Sequence, residues 1–393
     1  MKVAIVYDRV NKWGGAERVL LALHKIFPRA PLYTSVYDKK NALWASVFPD
    51  VKTSFLQYVP FARSNHEFLA VFMPQAFTSF DFSKFDLVIS VTSESAKGIK
   101  TEPKTFHLCY CLTPTRYLWS SRNFYFKNPP SKFDIVPFFD IFSRPLIYFL
   151  KRWDIKASKR PDKFIAISTE VKDRIKKYYK RDSEIIFPPV TIPLSASEAL
   201  KRRRKGVYYL IVNRLIPYKK VDLAIKAFNK LKYPLYIVGS GSEEEKLKSI
   251  AHDNIKFLGQ VNETELSVLY SGAKALIMPQ EEDFGIVAVE AQSYGVPVIA
   301  FGKGGALDTV INGRTGILFD KQNVNSLMQA VKKFAKMRFS ERILINNAKR
   351  NSFQVFKKEL QRSLVRFNIG RGRGNKTLAG KQKRNPQTVF KAF

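Results

Sequence analysis

Short apolar runs followed by amphipathic segments recur along most of the chain. In the first half, these runs predict strands at 2–7, 86–91, 106–112, 163–167 and 184–187. The second half repeats the pattern, with strands predicted at 207–212, 234–238, 255–258, 275–278, 296–300 and 317–319. Strands that alternate with helices are typical of parallel sheets covered by helices. The pattern therefore predicts the α/β class, with two sheets built one after the other.

A polar segment with several prolines separates the two sets of strands. It begins at Pro188-Pro189-Val190 and ends in the basic cluster 201–205, and it suits neither a core strand nor a buried helix. We therefore predict one Rossmann-like domain over 1–190 and a second over 206–350. Ligands of such folds usually bind at the carboxyl ends of the strands, so both sheets are expected to face a central cleft that holds the active site.

The charge of the chain is unusually positive. The chain has 67 Lys and Arg residues and 33 Asp and Glu residues, which gives a formal net charge of +34. Such a charge attracts either nucleic acid or anionic lipid. The sequence contains no zinc-finger spacing, no RNP aromatic motif and no KH-like loop, so nucleic-acid binding rests on charge alone. Residues 367–393 contain many Lys and Arg and are predicted to form a disordered tail.

An aromatic and basic stretch runs from Phe124 to Trp153. Charged residues and prolines interrupt it too often for a plain transmembrane helix. Its composition is typical of a surface that places aromatic rings in a lipid headgroup layer, although packing in or on the core explains it equally well. We therefore expect a cytoplasmic protein, held peripherally on the inner face of the membrane.

Two further features support an intracellular setting. The chain enters a predicted strand at residue 3 without the layout of a secretory signal. Its two cysteines, Cys109 and Cys111, alternate within one predicted strand and lack the further ligands of a zinc site. We predict that both are reduced and packed in the core.

The most informative segment is 279–297, where a strand, an acidic loop and a helix follow one another. The helix is predicted to begin near Gly285 and to end by Gly295. Unpaired amides at its start can bind a diphosphate, where donors and partial positive charge coincide. Glu290 would lie one turn further on and accept the hydroxyls of a ribose, whereas Glu282 in the loop would bind hydroxyls of a sugar.

A second segment, Asn213 to Asp222, follows the strand at 207–212 and carries three cations. A diphosphate leaving group gains negative charge in the transition state, so fixed cations beside it lower the barrier. Arg214 and Lys219 are predicted for this role, and Lys220 is a weaker candidate.

These segments resemble the retaining glycosyltransferase family 4. The similarity rests on the Glu282-x7-Glu290 spacing with Phe284-Gly285 inside it, and the longer run is similar to the mannosyltransferases of O-antigen assembly. The resemblance implies the GT-B fold, with donor bound by the second domain and acceptor by the first. It also implies that a last helix, at about 351–366, packs back on the first domain.

The resemblance further implies hexose transfer with retention, and mannose from GDP-mannose is the first candidate donor. The acceptor would be a lipid-linked glycan or polysaccharide of the cell surface. Catalytic roles fall on Arg214, Lys219 and Glu282. Donor contacts fall on the following residues: Gly14, Gly15, Ser168, Gly239, Gly241, Phe284, Gly285, Ile286 and Glu290. Gly304-Gly305 lies before a helix start that is also expected near the diphosphate.

The chain departs from the family pattern in the segment from Cys111 to Tyr117. Many relatives carry a histidine where this chain has Leu112, and that histidine is thought to touch the transferred sugar. The leaving diphosphate can accept the proton itself, so transfer without the imidazole is possible. His107 is predicted to point to the face of the strand opposite to that of Leu112, and to be structural. Arg116 and Tyr117 are candidates for acceptor contact.

The sequence lacks an Asp-x-Asp pair at a strand end, so we expect no metal and no other cofactor. Several alternatives stay open at this point. The donor could be a UDP-sugar, or the acceptor soluble. The chain could also be an inactive relative, as Leu112 allows, or a basic nucleic-acid-binding α/β protein.

Overall fold

The structure is a computed structural model that describes residues 1–60, 69–120, 139–191 and 206–367. Most of the predicted linker, the first part of the aromatic stretch and nearly all of the basic tail lie outside these ranges. The described chain divides into two compact units. The first contains Met1–Ile167, Val171–Ile186 and the chain from Lys357 onward, and the second contains Ser168–Glu170 and Phe187–Phe356.

The first unit is built on a parallel sheet. Its strands are β1 Val3–Tyr7, β2 Leu32–Thr34, β3 Val51–Thr53, β4 Leu87–Thr92, β5 Phe106–Cys111, β6 Lys163–Ala166 and β7 Ser183–Ile185. Their order is β3-β2-β1-β4-β5-β6-β7, with a crossover between β1 and β4. Every residue of β1 and β4 is buried, as expected for central strands with both faces covered. The sequence pattern missed β2 and β3, which have three residues each, whereas β7 is as short but adjoins the apolar run Ile185-Ile186-Phe187.

Among the described residues of this part of the chain, the α-helices are α1 Gly15–Ile26, α2 Met73–Thr78, α3 Phe139–Ala157, α4 Thr169–Tyr179 and the last helix, Phe353–Arg366. The last helix joins the first unit from Lys357 onward. There the hydroxyl of Ser363 donates to Glu184 at 2.7 Å, Arg366 forms an ion pair with the same carboxylate, and Phe367 stacks on Phe106 with ring centroids 6.0 Å apart.

The second unit holds a parallel sheet of six strands. They are β8 Tyr208–Val212, β9 Leu235–Val238, β10 Ile255–Gly259, β11 Ala273–Met278, β12 Val298–Phe301 and β13 Gly316–Phe319, in the order β10-β9-β8-β11-β12-β13. Every strand predicted for the second half is present within two residues of its predicted bounds. Alternate residues of β8 pack on opposite faces, Tyr209 and Ile211 in one apolar cluster and Tyr208 and Leu210 in another.

The helices of this unit are α5 Val221–Leu231, α6 Glu244–Ser249, α7 Glu263–Gly272, α8 Ile286–Ser293, α9 Ala306–Thr309, α10 Val324–Ala335 and α11 Glu341–Lys349; Phe353–Arg366 follows as α12. The chain order of strands and helices is that of a Rossmann-like domain, with the crossover between β8 and β11.

Residues 187–190 lie in a different unit from the one predicted. The prediction placed them in the first domain, whereas the structure groups them with the second. The backbone N–H of Val190 donates to the carbonyl of Asn351 at 2.8 Å, and the ring of Phe187 lies 5.6 Å from that of Phe284. Both contacts are distant in sequence, so local pattern could not reveal them.

No helix within the described ranges is both long enough and apolar enough to cross a membrane.

Candidate active site

The loop after β8 carries the predicted phosphate-binding cations of the second unit. After Val212 the chain forms a short 3-10 helix, Pro217–Lys219, and Lys220 then takes a left-handed conformation with φ of 53° before α5 begins. The guanidinium of Arg214 donates to the hydroxyl of Tyr218 at 2.7 Å. The tight turn holds Lys219 largely out of solvent, which is unusual for a lysine.

Lys219 forms an ion pair with Glu282, the first glutamate of the acidic loop after β11. Their side chains are only 10% and 15% exposed. The structure thus joins two residues that the sequence assigned separately, one to phosphate and one to sugar. The pair has no net charge, so the cations that this loop adds beyond the pair are Arg214 and Lys220.

Gln280 supports this ion pair, and the sequence analysis missed it. It is fully buried, and its side-chain nitrogen donates to Oε1 of Glu282 at 2.7 Å and approaches Oδ1 of Asn213 at 3.4 Å. Gln280 therefore bridges the ends of the neighbouring strands β8 and β11. A polar side chain two residues after the apolar run of β11 was the available signal.

The helix after the acidic loop begins as predicted. Gly285 has a φ of +85°, a left-handed conformation that favours glycine, and α8 starts at Ile286. No side chain caps this helix start. The backbone N–H groups of its first turn can therefore donate hydrogen bonds to a bound anion.

Glu290 lies in the second turn of α8 and is almost completely buried. Its Oε2 accepts a hydrogen bond of 2.9 Å from the hydroxyl of Tyr270, the ring of which stacks on Tyr294 at 5.5 Å. Tyr270 is a second residue that the sequence analysis missed, because it lies on α7, twenty residues away in sequence. The contact fixes the orientation of the carboxylate predicted to bind ribose.

The glycine clusters of this unit lie where backbones meet. A Cβ on Gly239 would lie 1.8 Å from the carbonyl oxygen of Asn213, and one on Gly241 would lie 2.3 Å from that of Leu215. The N–H of Gly305 donates to the carbonyl of Glu282 at 2.8 Å, and a Cβ there would meet the backbone of Phe284. These glycines draw the turns after β9 and β12 against the two candidate loops, and their donor contacts stay predictions.

In the first unit, Gly14 precedes α1 with an extended backbone, and Gly15 is the first residue of that helix. Burial of Tyr117, followed by the charge of Glu94, raises the pKa of its phenol well above the usual value. Arg116 is half-buried. Roles of these residues in donor and acceptor binding stay predictions.

Ser168 is fully buried and directly precedes α4, in a three-residue segment that belongs to the second unit. Its neighbour Thr169 donates through both its N–H and its hydroxyl to the carboxylate of Asp308, at 2.8 and 2.7 Å. The prediction had placed Ser168 with the first domain.

His107 and the two cysteines are core residues, as expected. His107 is fully buried, and its Nε2 lies 2.8 Å from the hydroxyl of Ser90. Burial, and after it the charges of Arg160 and Arg181, lowers the pKa of His107 to about 3. Cys109 and Cys111 are both free and buried.

Among the residues that the structure describes, no three His, Cys, Asp or Glu side chains are grouped so that they could hold a metal ion. Independence from metals and other cofactors stays a prediction.

Part of the chain matches the model of a known family. Residues 195–351 match the model of the family described as "Glycosyl transferases group 1". The chain is 29% identical over 189 residues to the uncharacterized glycosyltransferase MJ1178 of Methanocaldococcus jannaschii, which covers 47% of this chain and 51% of that protein.

A second relative is the GDP-mannose-dependent alpha-(1-6)-phosphatidylinositol monomannoside mannosyltransferase of Mycobacterium tuberculosis. It is 34% identical over 159 residues, which cover 35% of this chain and 41% of the relative. The chain thus spans about half or less of the length of the curated relatives that it matches.

Solved structures show the fold. The apo form of the lipopolysaccharide outer core galactosyltransferase WaaB superposes with a TM-score of 0.64 at 16% identity, over 93% of this chain and 100% of that one. An Anabaena structure, Alr3699/HepE in complex with UDP and glucose, gives 0.65 at 18% identity, over 93% and 99%. The chain has the GT-B fold, with two parallel-sheet α/β domains.

Proposed function

We propose that the protein is a retaining glycosyltransferase of family 4 that transfers a hexose from a nucleotide-sugar to a glycan acceptor. The observation that carries the proposal is the meeting of the loops after β8 and β11, where Lys219 pairs with Glu282 beside Arg214 and ahead of the uncapped start of α8. Cations and backbone amides of this kind stabilise a leaving diphosphate.

Each residue has one task in this proposal. Arg214 and Lys219 take up the charge that develops on the diphosphate, and the amides of Gly285 and Ile286 bind its oxygens. Glu290, oriented by Tyr270, accepts the ribose hydroxyls, and Glu282 binds the hexose. The acceptor attacks on the face that the diphosphate leaves, and a diphosphate oxygen takes the acceptor proton. The reaction then needs no protein nucleophile, which is why Leu112 is compatible with activity.

Mannose from GDP-mannose is the first candidate donor. The Mycobacterium tuberculosis relative, named as a GDP-mannose-dependent enzyme, supports it. A UDP-sugar is the second candidate, because the Anabaena structure holds UDP and glucose in the same fold.

A donor-hydrolysis panel tests the proposal. Purified protein is incubated with GDP-mannose, UDP-glucose and related donors, without and with EDTA, and released GDP or UDP is measured. We expect release from one donor class, unaffected by EDTA, and a loss of at least about a hundredfold in Glu290→Ala. Wild-type rates of donor hydrolysis in Glu290→Ala would refute the assignment of this active site. Tight, salt-sensitive DNA binding without release of either nucleotide would favour the nucleic-acid alternative.

We also propose that the protein works on a lipid-linked acceptor at an anionic membrane surface, in the assembly of a cell-surface glycan. Support comes from helix α3, where the following exposed side chains share one face: Arg144, Tyr148, Phe149, Arg152, Ile155 and Lys156. Leu150, Asp154 and Ala157 face the core. A helix with aromatic and cationic side chains on its exposed face suits the headgroup region of anionic lipid.

Vesicle sedimentation tests this membrane face. We expect binding to vesicles that contain anionic lipid, weaker binding at high salt, and a clear loss in Tyr148→Ala/Phe149→Ala. Binding that is indifferent to salt, to lipid charge and to this double substitution would overturn the membrane proposal and leave the transferase proposal intact.

A further inference from the structure

Two tryptophans, Trp13 exposed and Trp44 half-buried, form an aromatic surface in the first unit. Trp13 lies in the loop between β1 and α1, and Trp44 lies in the short 3-10 helix Leu43–Val47 that follows β2. The ring centroids are 6.2 Å apart, with an angle of 59° between the planes. Trp13 is 45% exposed. We refer to Trp13, Trp44 and their exposed apolar neighbours Leu43 and Val47 as the tryptophan platform.

The platform is held firmly in place. An isolated parallel bridge between Val10 and Tyr37 ties the two loops together. The indole nitrogen of Trp44 donates to the carbonyl of Lys12 at 2.8 Å, which links its ring to the residue before Trp13. The carboxylate of Asp38 accepts hydrogen bonds that close the turn before the 3-10 helix. Side chains fixed in this way lose little rotamer entropy when a ligand binds.

The position of the platform is that of a binding site. Both loops leave the carboxyl ends of the adjacent parallel strands β1 and β2, the edge at which α/β domains bind their ligands. Trp13 directly precedes Gly14, the residue before α1. Leaving so much indole, leucine and valine surface in water is unfavourable, and exposed apolar surface of this kind commonly marks a binding site.

The chemistry of the surface selects the ligand. One face of a pyranose ring presents axial C–H groups, which are apolar and slightly positive and stack on the negative face of an aromatic ring. Exposed Lys39 and Lys40 follow Asp38 in the same turn, so charge does not favour a glycan over anionic lipid; the position at the ligand-binding edge of the sheet does. We propose that the tryptophan platform binds a pyranose ring of the glycan acceptor. This inference rests on the proposed transferase function and adds the residues that recognise the acceptor.

The experiment compares Trp13→Ala, Trp13→Phe and Tyr233→Ala, the last being a partly exposed aromatic in the second unit. Binding of each protein to a printed panel of neutral and lipid-linked oligosaccharides is measured, together with tryptophan fluorescence on addition of the best-bound glycan. Donor hydrolysis is measured in parallel. We expect Trp13→Ala to bind glycan at least about tenfold more weakly, with donor hydrolysis unchanged. Trp13→Phe should stay within about threefold of wild type and Tyr233→Ala should match it.

Three outcomes would overturn the platform. The first is equal glycan binding by wild type and Trp13→Ala. The second is no glycan binding by a wild type that hydrolyses donor. The third is a tryptophan emission shift with anionic vesicles that Trp13→Ala abolishes, without any shift on addition of glycan. A wild type that hydrolyses no donor would instead count against the proposed function itself.

Discussion

The ion pair between Lys219 and Glu282 leads to a prediction about donor binding. Two opposite charges about 3 Å apart attract by about 5 kcal/mol at an effective dielectric constant of 20, and desolvation offsets part of this. A diphosphate that binds Lys219 must compete with the carboxylate. Glu282→Gln should therefore bind GDP or UDP more tightly, by about tenfold or 1.4 kcal/mol. Lys219→Met should bind them about 10 to 100 times more weakly, because a charge-assisted hydrogen bond is lost.

Calorimetric titration with GDP and UDP measures these affinities, and urea unfolding provides the structural control. Each single substitution leaves a largely buried charge unpaired and should lower the unfolding free energy by about 3 kcal/mol. The double variant should lose less than either single variant, because neither charge is then unpaired. If Glu282→Gln weakens nucleotide binding as Lys219→Met does, the carboxylate does not compete with the diphosphate, and the reasoning is wrong.

Three further predictions concern single side chains. Tyr270→Phe should raise the KM for the donor about 3- to 30-fold with a small change in kcat, because the Glu290 carboxylate loses the hydrogen bond that orients it. An unchanged KM in donor hydrolysis would show that Tyr270 has no role in donor binding. Gln280→Leu should lower kcat at least about tenfold while binding of free GDP or UDP is retained, because Gln280 orients the carboxylate proposed to hold the sugar. His107 stays neutral in the folded protein but is protonated in the unfolded chain below about pH 6.5, so stability falls as the pH drops from there towards 3. Between pH 7.5 and 5.0 this amounts to about 2 kcal/mol, and His107→Gln should reduce the measured pH dependence of urea unfolding by that amount.

Much of the fold follows from the sequence because parallel strands buried on both faces produce continuous apolar runs. All six strands of the second unit, and β1, β4, β5 and β6 of the first, arise where such runs occur, and β7 adjoins one. The start of α8 could also be predicted from the sequence, because a left-handed backbone at position 285 favours glycine and the preceding strand fixes where the loop begins. The strands β2 and β3 were missed because neither adjoins an apolar run long enough to mark so short a strand.

The sequence determined which residue types face the candidate site, and the tertiary structure decided which of them touch. Lys219 and Glu282 are 63 residues apart, and they meet because β8 and β11 are neighbours in the sheet although β9 and β10 come between them in the chain. Tyr270 on α7 reaches Glu290 on α8, and Trp13 reaches Trp44 from the loops that follow the adjacent strands β1 and β2. Hydrophobic periodicity records only whether a side chain is buried. Partners across a sheet are set by strand order, which comes from packing whole elements against one another.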